Sequence, residues 1–168
     1  MLRIFTDLYL SVPSVSSVFV LDYLSAMEET LVFERRFDAP PAQVWKALTD
    51  TEEMRNWYFS LEDFQPVPGF AFSFVGGPPD GIQYIHRCVV TEAVPERVLA
   101  HTWDYQGYSG SSTVRWELAP DGAGTRLRLT HAGIGTFPES NPDLAIANFR
   151  QGWTEIIHTH LRGYLERG

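Results

Sequence analysis

The side chains of this sequence best suited to proton transfer near neutral pH are its five histidines. His86, His101 and His131 fall on the predicted inner faces of three strands, where converging imidazoles could bind zinc. At different heights along those strands they would instead satisfy buried hydrogen bonds, as buried histidines normally do. His158 and His160 lie two residues apart on a predicted helix, so they point to different faces and are poorly placed to share a metal. The sequence therefore predicts no metal site.

A second chemical role for the inner-face histidines is proton transfer, with His101 or His131 as an acid, a base or a group that polarises a ligand. The motifs of strong catalytic sites are missing from the sequence: G-x-S-x-G, H-E-x-x-H and G-x-x-x-x-G-K-[ST]. The glycine pair Gly76–Gly77 is typical of a turn. We therefore predict no catalytic residue and no cofactor, and expect binding rather than catalysis.

Aromatic side chains make up 14% of the sequence, and many occupy the same predicted inner faces as the histidines. Rings of this kind pack either as ordinary core or as the wall of a cavity that takes a planar ligand. The predicted ligand-binding residues are Trp57, Phe72, Phe74, His86, His101, Trp103, Trp116, Leu129, His131, Phe149 and Trp153.

The apolar residues of the C-terminal region follow the period of one long helix. From 142 to 166 they recur every three or four residues and form a broad stripe, on which His160 also falls. Asn141 is the predicted N-cap, with Pro142 in the first turn, where its missing N–H costs nothing. Such a helix needs a sheet against which to bury its stripe.

Alternating apolar residues predict the strands of that sheet. The first strand is Leu31–Phe37. Asp38 and the two prolines after Ala39 signal the start of a first short helix, and Thr51–Tyr58 is predicted as a second. Turn-rich segments then separate strands in an order typical of an antiparallel meander with one buried face. The further strands are Phe70–Phe74, Ile82–Glu92, Arg97–Tyr105, Ser112–Ala119 and Thr125–His131. These elements predict an α+β helix-grip fold, in which a curved antiparallel sheet wraps around the long C-terminal helix.

The chain of 168 residues divides into an N-terminal extension, residues 1–26, and one predicted domain, residues 27–168. The extension shows no periodic face. It is interpreted as a disordered segment, as sequence upstream of a true start at Met27, or as a targeting segment led by Arg3. Asp, Ser and Pro interrupt it too often for a membrane span. We expect the domain to fold without it, in the cytoplasm.

Composition limits the partners of this chain. The net charge of −8 argues against nucleic acid and anionic membranes. Cys88 is the single cysteine, so no disulfide can form within the chain. The expected partner is a small apolar or aromatic ligand, with a homodimer left open.

Several motifs in order resemble the START-like (SRPBCC) superfamily, and they are similar to its branch named for the activator of the heat-shock protein 90 ATPase. The resemblance covers about residues 29–166. It rests on FDAPPAQVWKALTDTEEMRNWY, PGFAFSF, PERVLAHTW, STVRWELAPDGAGTRLRLTHAG and GWTEIIHTHLRGYLE. It implies the helix-grip fold with a cavity between sheet and helix, but no single function, because members bind lipids, cyclise polyketides, sequester antibiotics or act as co-chaperones.

Three hypotheses of function follow. The first is a protein that binds a small hydrophobic ligand in the internal cavity. The second is an enzyme of the cyclase or aromatase type that uses a cavity histidine, and it predicts a shifted histidine pKa. The third is a co-chaperone-like module that binds another protein, and it predicts an exposed apolar patch on the outer face of the sheet.

Overall fold

The computed structural model describes residues 30–167. The predictions about residues 1–26 and the domain boundary at residue 27 lie outside the described residues. Within residues 30–167, every helix is too short or too polar to cross a membrane.

The described chain forms a strand, two short helices, five further strands and a long C-terminal helix, in the predicted order. The strands are β1 (Leu31–Phe37), β2 (Ala71–Gly76), β3 (Tyr84–Val94), β4 (Val98–Tyr105), β5 (Ser112–Asp121) and β6 (Gly124–Ala132). The helices are α1 (Pro41–Thr49), α2 (Thr51–Met54), α3 (Ile146–Glu155), a π-helical segment (Ile156–Leu161) and α4 (Arg162–Leu165). Short 3₁₀ turns cover Ile134–Thr136 and Pro142–Leu144.

All six strands belong to one sheet with the order β1-β6-β5-β4-β3-β2, and every neighbouring pair is antiparallel. The register between β3 and β4 shifts between Val90 and Glu92. Such a bulge bends a strand and increases its twist, which helps the sheet curl. The predicted α+β helix-grip fold is confirmed.

The C-terminal helix buries one side chain in every four against the sheet. These residues are Phe149, Trp153, Ile157, Leu161 and Leu165. Because an α-helix has about 3.6 residues per turn, each four-residue step overshoots a full turn by about 40°. The wider turn of the π-helical segment reverses this drift and keeps the buried row facing the sheet.

Two predictions about this helix are wrong. The helix begins at Ile146, because Pro142 starts a separate 3₁₀ turn that Asn141 caps, and Ala145 is then extended. His160 is exposed and does not belong to the buried stripe. In the wider π turn three residues cover less rotation than in an α-helix, so a position three residues after Ile157 faces away from the sheet.

The short helices close one end of the sheet. α1 buries Val44, Ala47 and Leu48, and the Asp50 carboxylate caps α2 by accepting from two backbone N–H groups. α2 ends at Met54, four residues before its predicted end. Residues 55–70, here called the connecting segment, then lead to β2 without a regular helix or strand.

Candidate ligand-binding site

The interior holds all eleven predicted ligand-binding residues, with exposed fractions between 0% and 9%. Four tryptophans join the structural elements there. The ring of Trp153 on α3 lies 5.4 Å from Trp103 on β4 and 5.5 Å from Trp116 on β5. Trp57 of the connecting segment lies 6.4 Å from Trp116. Edge-to-face and tilted contacts at these distances are favourable, so the rings form one continuous layer.

A second group of rings surrounds Phe74 on β2. The Phe74 ring stacks on His86 at 4.3 Å and meets Trp103 edge-on at 5.4 Å. Phe72 contacts His101 edge-on at 5.3 Å. The two groups share Trp103, so the structure brings nearly all the predicted aromatic residues into one cluster.

His131 is locked in a chain of hydrogen bonds. The Trp153 indole N–H donates to its Nδ1 at 2.9 Å, so that nitrogen is unprotonated. Its Nε2–H therefore donates to Ser112 Oγ at 2.8 Å, and the Ser112 hydroxyl donates to the Trp103 carbonyl at 2.8 Å. Burial, with a smaller effect of nearby His101, lowers the pKa of His131 to about 3. With both nitrogens engaged, this histidine connects the helix to the sheet and has no position left for a ligand.

His101 and His86 are also held neutral. His101 Nδ1–H donates to the Thr102 carbonyl at 2.9 Å, which leaves Nε2 as an acceptor. Burial lowers the pKa of both His101 and His86 to about 4, although backbone groups near each ring oppose the effect. In residues 30–167, no three His, Cys, Asp or Glu side chains are grouped closely enough to hold a metal ion. The interior therefore offers hydrogen bonds without charge.

Buried polar atoms without a partner are rare in folded proteins, and they often mark a functional site. The part of the chain that the structure describes has three in side chains: Arg35 Nε, Tyr58 Oη and His86 Nδ1. The last two lie in the aromatic interior. Burial raises the pKa of Tyr58 well above its usual value, so its hydroxyl stays neutral. Sequence reasoning missed Tyr58 and its neighbour Phe59, for which the only signal was the aromatic run at 57–59 in a turn-rich segment.

Removing the unpartnered hydroxyl is expected to leave the protein as stable as before or to stabilise it by about 1 kcal/mol, because a buried polar group without a partner is costly. The variant is Tyr58→Phe, and urea unfolding measures the effect. Tyr105→Phe is the control, since the Tyr105 hydroxyl accepts from Trp103 Nε1 at 2.9 Å and its loss should destabilise. A loss of stability in Tyr58→Phe that matches the control would contradict the assignment.

The interior contains a small pocket with a volume of about 20 Å³. It lies beneath the short helices, lined among others by Leu48, Trp57, Tyr58, Phe72, His101 and Trp116. That volume is enough for about one water molecule. Side chains of the connecting segment fill the space, because Trp57, Leu61 and Phe64 are all buried. A drug-sized ligand therefore requires part of that segment to move, and the predicted cavity stays a prediction.

A larger and more open cleft of about 580 Å³ lies on the outer face of the sheet. It is lined among others by Ser73, Arg87, Val89, Thr102, Asp104 and Tyr108. Its walls mix charged, hydroxyl and apolar groups. The Asp104 carboxylate already accepts a hydrogen bond from Ser111 Oγ at 2.6 Å.

The outer face also carries exposed apolar side chains. Val75 on β2 pairs directly with Ile85 on β3, with 58% and 42% of their surfaces exposed. Val89 lies four residues further along β3 and is 39% exposed. The pair Ser73 and Arg87 lies between them, so polar side chains interrupt the apolar surface. Isolated exposed apolar residues are ordinary in soluble proteins and do not define a docking site.

A six-stranded antiparallel sheet that grips a C-terminal helix over an aromatic interior defines a START-like (SRPBCC-type) fold. A family model described as activator of Hsp90 ATPase homolog 1-like protein matches residues 38–166. The chain therefore belongs to this family. No curated protein matches the chain.

Solved structures share the fold across most of the chain. Protein CV1439 of Chromobacterium violaceum has a TM-score of 0.70 at 21% identity, over 83% of this chain and 99% of its own. Protein MLL2253 of Mesorhizobium loti has a TM-score of 0.67 at 28% identity, over 82% of this chain and 97% of its own. CalU16 of Micromonospora echinospora has a TM-score of 0.64 at 26% identity, over 81% of this chain and 75% of its own. At these identities the likeness concerns architecture, and the ligand must be argued from the interior of this chain.

Proposed function

We propose that this protein binds a small, neutral, aromatic or otherwise apolar ligand between the sheet and the helices, without converting it. The supporting observation is the continuous aromatic layer, into which Tyr58 and His86 each bring a buried polar atom that lacks a partner within residues 30–167. Sites for small molecules typically combine apolar walls with a few polar points that fix orientation. The cytoplasmic location and the homodimer stay predictions.

Binding fits these residues better than catalysis. Proton transfer is most efficient when the pKa of the acid or base lies near the working pH. The pKa values of His86 and His101 are lowered to about 4 and that of His131 to about 3, so none accepts a proton readily at neutral pH. His131 also uses both ring nitrogens for structure. The pKa values of these histidines are therefore shifted, but away from neutral pH, which is the wrong direction for a general base.

Micromolar affinity is the expected range. Burying about 300 Å² of apolar ligand surface gains roughly 7 kcal/mol at about 25 cal/mol per Å². The losses of ligand freedom and of the packing that must open reduce this gain.

Titration with a panel of planar hydrophobic compounds, followed by tryptophan fluorescence, tests the proposal. Trp103→Leu is expected to weaken binding of any hit by roughly tenfold, because Trp103 joins both groups of rings and a lost aromatic contact is worth about 0.5–1.5 kcal/mol beyond burial. Glu117→Gln should leave binding unchanged, since Glu117 lies on the outer face beside Arg115.

Two results would count against this function. Equal losses in Trp103→Leu and Glu117→Gln would place the ligand outside the interior. Conversion of a bound compound that His101→Ala abolishes would favour the enzyme hypothesis instead.

A further inference from the structure

We propose that the ring of Phe59 occupies the position that the ligand's ring takes, and that the ligand is a neutral planar aromatic compound bearing a hydroxyl group. The ligand enters by displacing Phe59 from the face of Phe74. This inference rests on the proposed function. It adds the position of the ligand's ring, the side chain that gates entry and the chemical class of the ligand.

The contacts of Phe59 resemble those of a bound ring. It stacks on Phe74 with centroids 4.5 Å apart and planes 22° from parallel. Its position at the end of β2 depends on Gly76, where an added Cβ would lie 2.6 Å from a Phe59 ring carbon. Phe59 itself is only half-buried, whereas Phe74 beneath it is 4% exposed. Phe59 thus covers the flat face of the Phe74 ring from the solvent side.

The two other rings that flank Phe59 carry the two unpartnered interior atoms. The Tyr58 ring lies 4.7 Å from Phe59, and the His86 ring lies 5.8 Å from it. Tyr58 Oη and His86 Nδ1 both lack a hydrogen-bond partner within the described residues. A phenylalanine cannot satisfy either atom. A ligand ring in the same place lies beside both of these rings and can carry a polar group, which phenylalanine lacks.

The chemistry of these two atoms selects a hydroxyl group. The Tyr58 hydroxyl can both donate and accept, and a neutral imidazole nitrogen does one or the other according to its tautomer. A ligand hydroxyl, which also donates and accepts, matches either arrangement. A carboxylate or ammonium group would instead lose its hydration on entering a site lined by aromatic rings, which is unfavourable.

The connecting segment around Phe59 is held by side-chain packing rather than by backbone hydrogen bonds. Residues 59–64 make no backbone–backbone hydrogen bond with any other residue in the range 30–167. The side chains of Phe59, Leu61 and Phe64 pack against the core and hold this part of the segment in place. Segments with few backbone bonds open at low free-energy cost. Displacement of one half-buried ring is therefore a modest step compared with unfolding of the sheet.

Isothermal titration calorimetry with naphthol, and with methylnaphthalene as its isostere without a hydroxyl, tests the gate. Phe59→Ala is expected to bind naphthol about tenfold more tightly than the parent chain, because the ligand no longer has to displace the Phe59 ring. Phe59→Leu, which keeps an apolar side chain but loses the plane, should shift the affinity in the same direction. Phe70→Ala is the matched control, since Phe70 is a half-buried phenylalanine of the same segment that contacts Phe64 instead. It should not change the affinity.

The hydroxyl class is tested with the same two compounds. The parent chain should prefer naphthol to methylnaphthalene, and the preference should fall in Tyr58→Phe or His86→Phe. If both Phe59 variants bind naphthol with the affinity of the parent chain, the displacement of Phe59 is overturned and the proposed function still stands. An equal affinity for the two compounds in the parent chain would overturn the hydroxyl class. Absence of binding by every variant would overturn the proposed function itself.

Discussion

Acidification from pH 7 to pH 5 is expected to lower the free energy of unfolding by about 6 kcal/mol, since three interior histidines are kept neutral by the fold. The pKa values of His86 and His101 are lowered to about 4, and that of His131 to about 3. In the unfolded chain each returns to about 6.5. Between these values the unfolded chain binds more protons than the folded one, so stability falls as the pH falls.

The size of the effect makes it decisive. At pH 5 each histidine contributes about 2 kcal/mol of lost stability, at about 1.4 kcal/mol per pH unit below 6.5. Small domains are stable by about 5–15 kcal/mol in total, so a loss of this size removes a large part of the stability. Urea unfolding at a series of pH values measures the loss directly.

Two variants separate this cause from a general acid effect. His86→Phe removes one of the three groups, so the dependence of the unfolding free energy on pH should become shallower by about 1.4 kcal/mol per pH unit. Phe70→Ala changes a half-buried side chain that does not titrate and should leave the dependence as in the parent chain. An unfolding free energy that stays constant from pH 7 to pH 5 would mean that the inner histidines are solvated.

The strands were predictable because their residues alternate strictly. In β3, His86, Cys88 and Val90 are buried while Arg87 and Val89 are exposed, and this period of two indicates a half-buried strand. Every predicted strand end lies within two residues of the observed one. A sheet with a single buried face then requires a cover, and the long apolar helix was the one element able to supply it.

The π-helical segment was not predictable from the same pattern. Apolar residues three or four apart fit both an α-helix and a helix with a wider turn, so the pattern alone assigns His160 to the stripe. Packing in the core decides between them, since Ile157, Leu161 and Leu165 are buried at four-residue spacing. The predicted start of the helix is wrong for a similar reason, because Pro142 is equally compatible with the first position of a 3₁₀ turn.

The candidate site was predictable as a set of buried residues but not as a network. The alternation of the strand predicts that His131 faces inward, and the period of the helix predicts the same for Trp153. The hydrogen bond between the indole N–H and Nδ1, at 2.9 Å, is visible only in the structure. Tyr58 and Phe59 belong to a segment without a regular period, so no face could be assigned to them. Their importance rests on contacts with Phe74 and His86, which are distant in sequence.

Truncation of Trp153 is expected to cost about 3–5 kcal/mol of stability, as is usual for deletion of a buried tryptophan. Trp153 is 2% exposed at the middle of the helix and contacts Trp103 and Trp116. Trp153→Ala therefore removes the ring that joins the helix to the aromatic layer. Denaturant unfolding measures the cost, and Arg162→Ala should stay within about 0.5 kcal/mol of the parent, because its ion pair with Glu166 is exposed.

Trp153→Phe divides this cost into packing and hydrogen bonding. It keeps an aromatic ring but removes the donor to His131 Nδ1, and a buried acceptor left without its partner costs about 1–3 kcal/mol. A second change, His131→Phe, removes that acceptor as well, so the double variant should recover part of the loss. Without such recovery, the indole and the imidazole would be two independent core side chains rather than one connection between helix and sheet. Equal effects of Trp153→Ala and Arg162→Ala would instead mean that the buried face of the helix is misassigned.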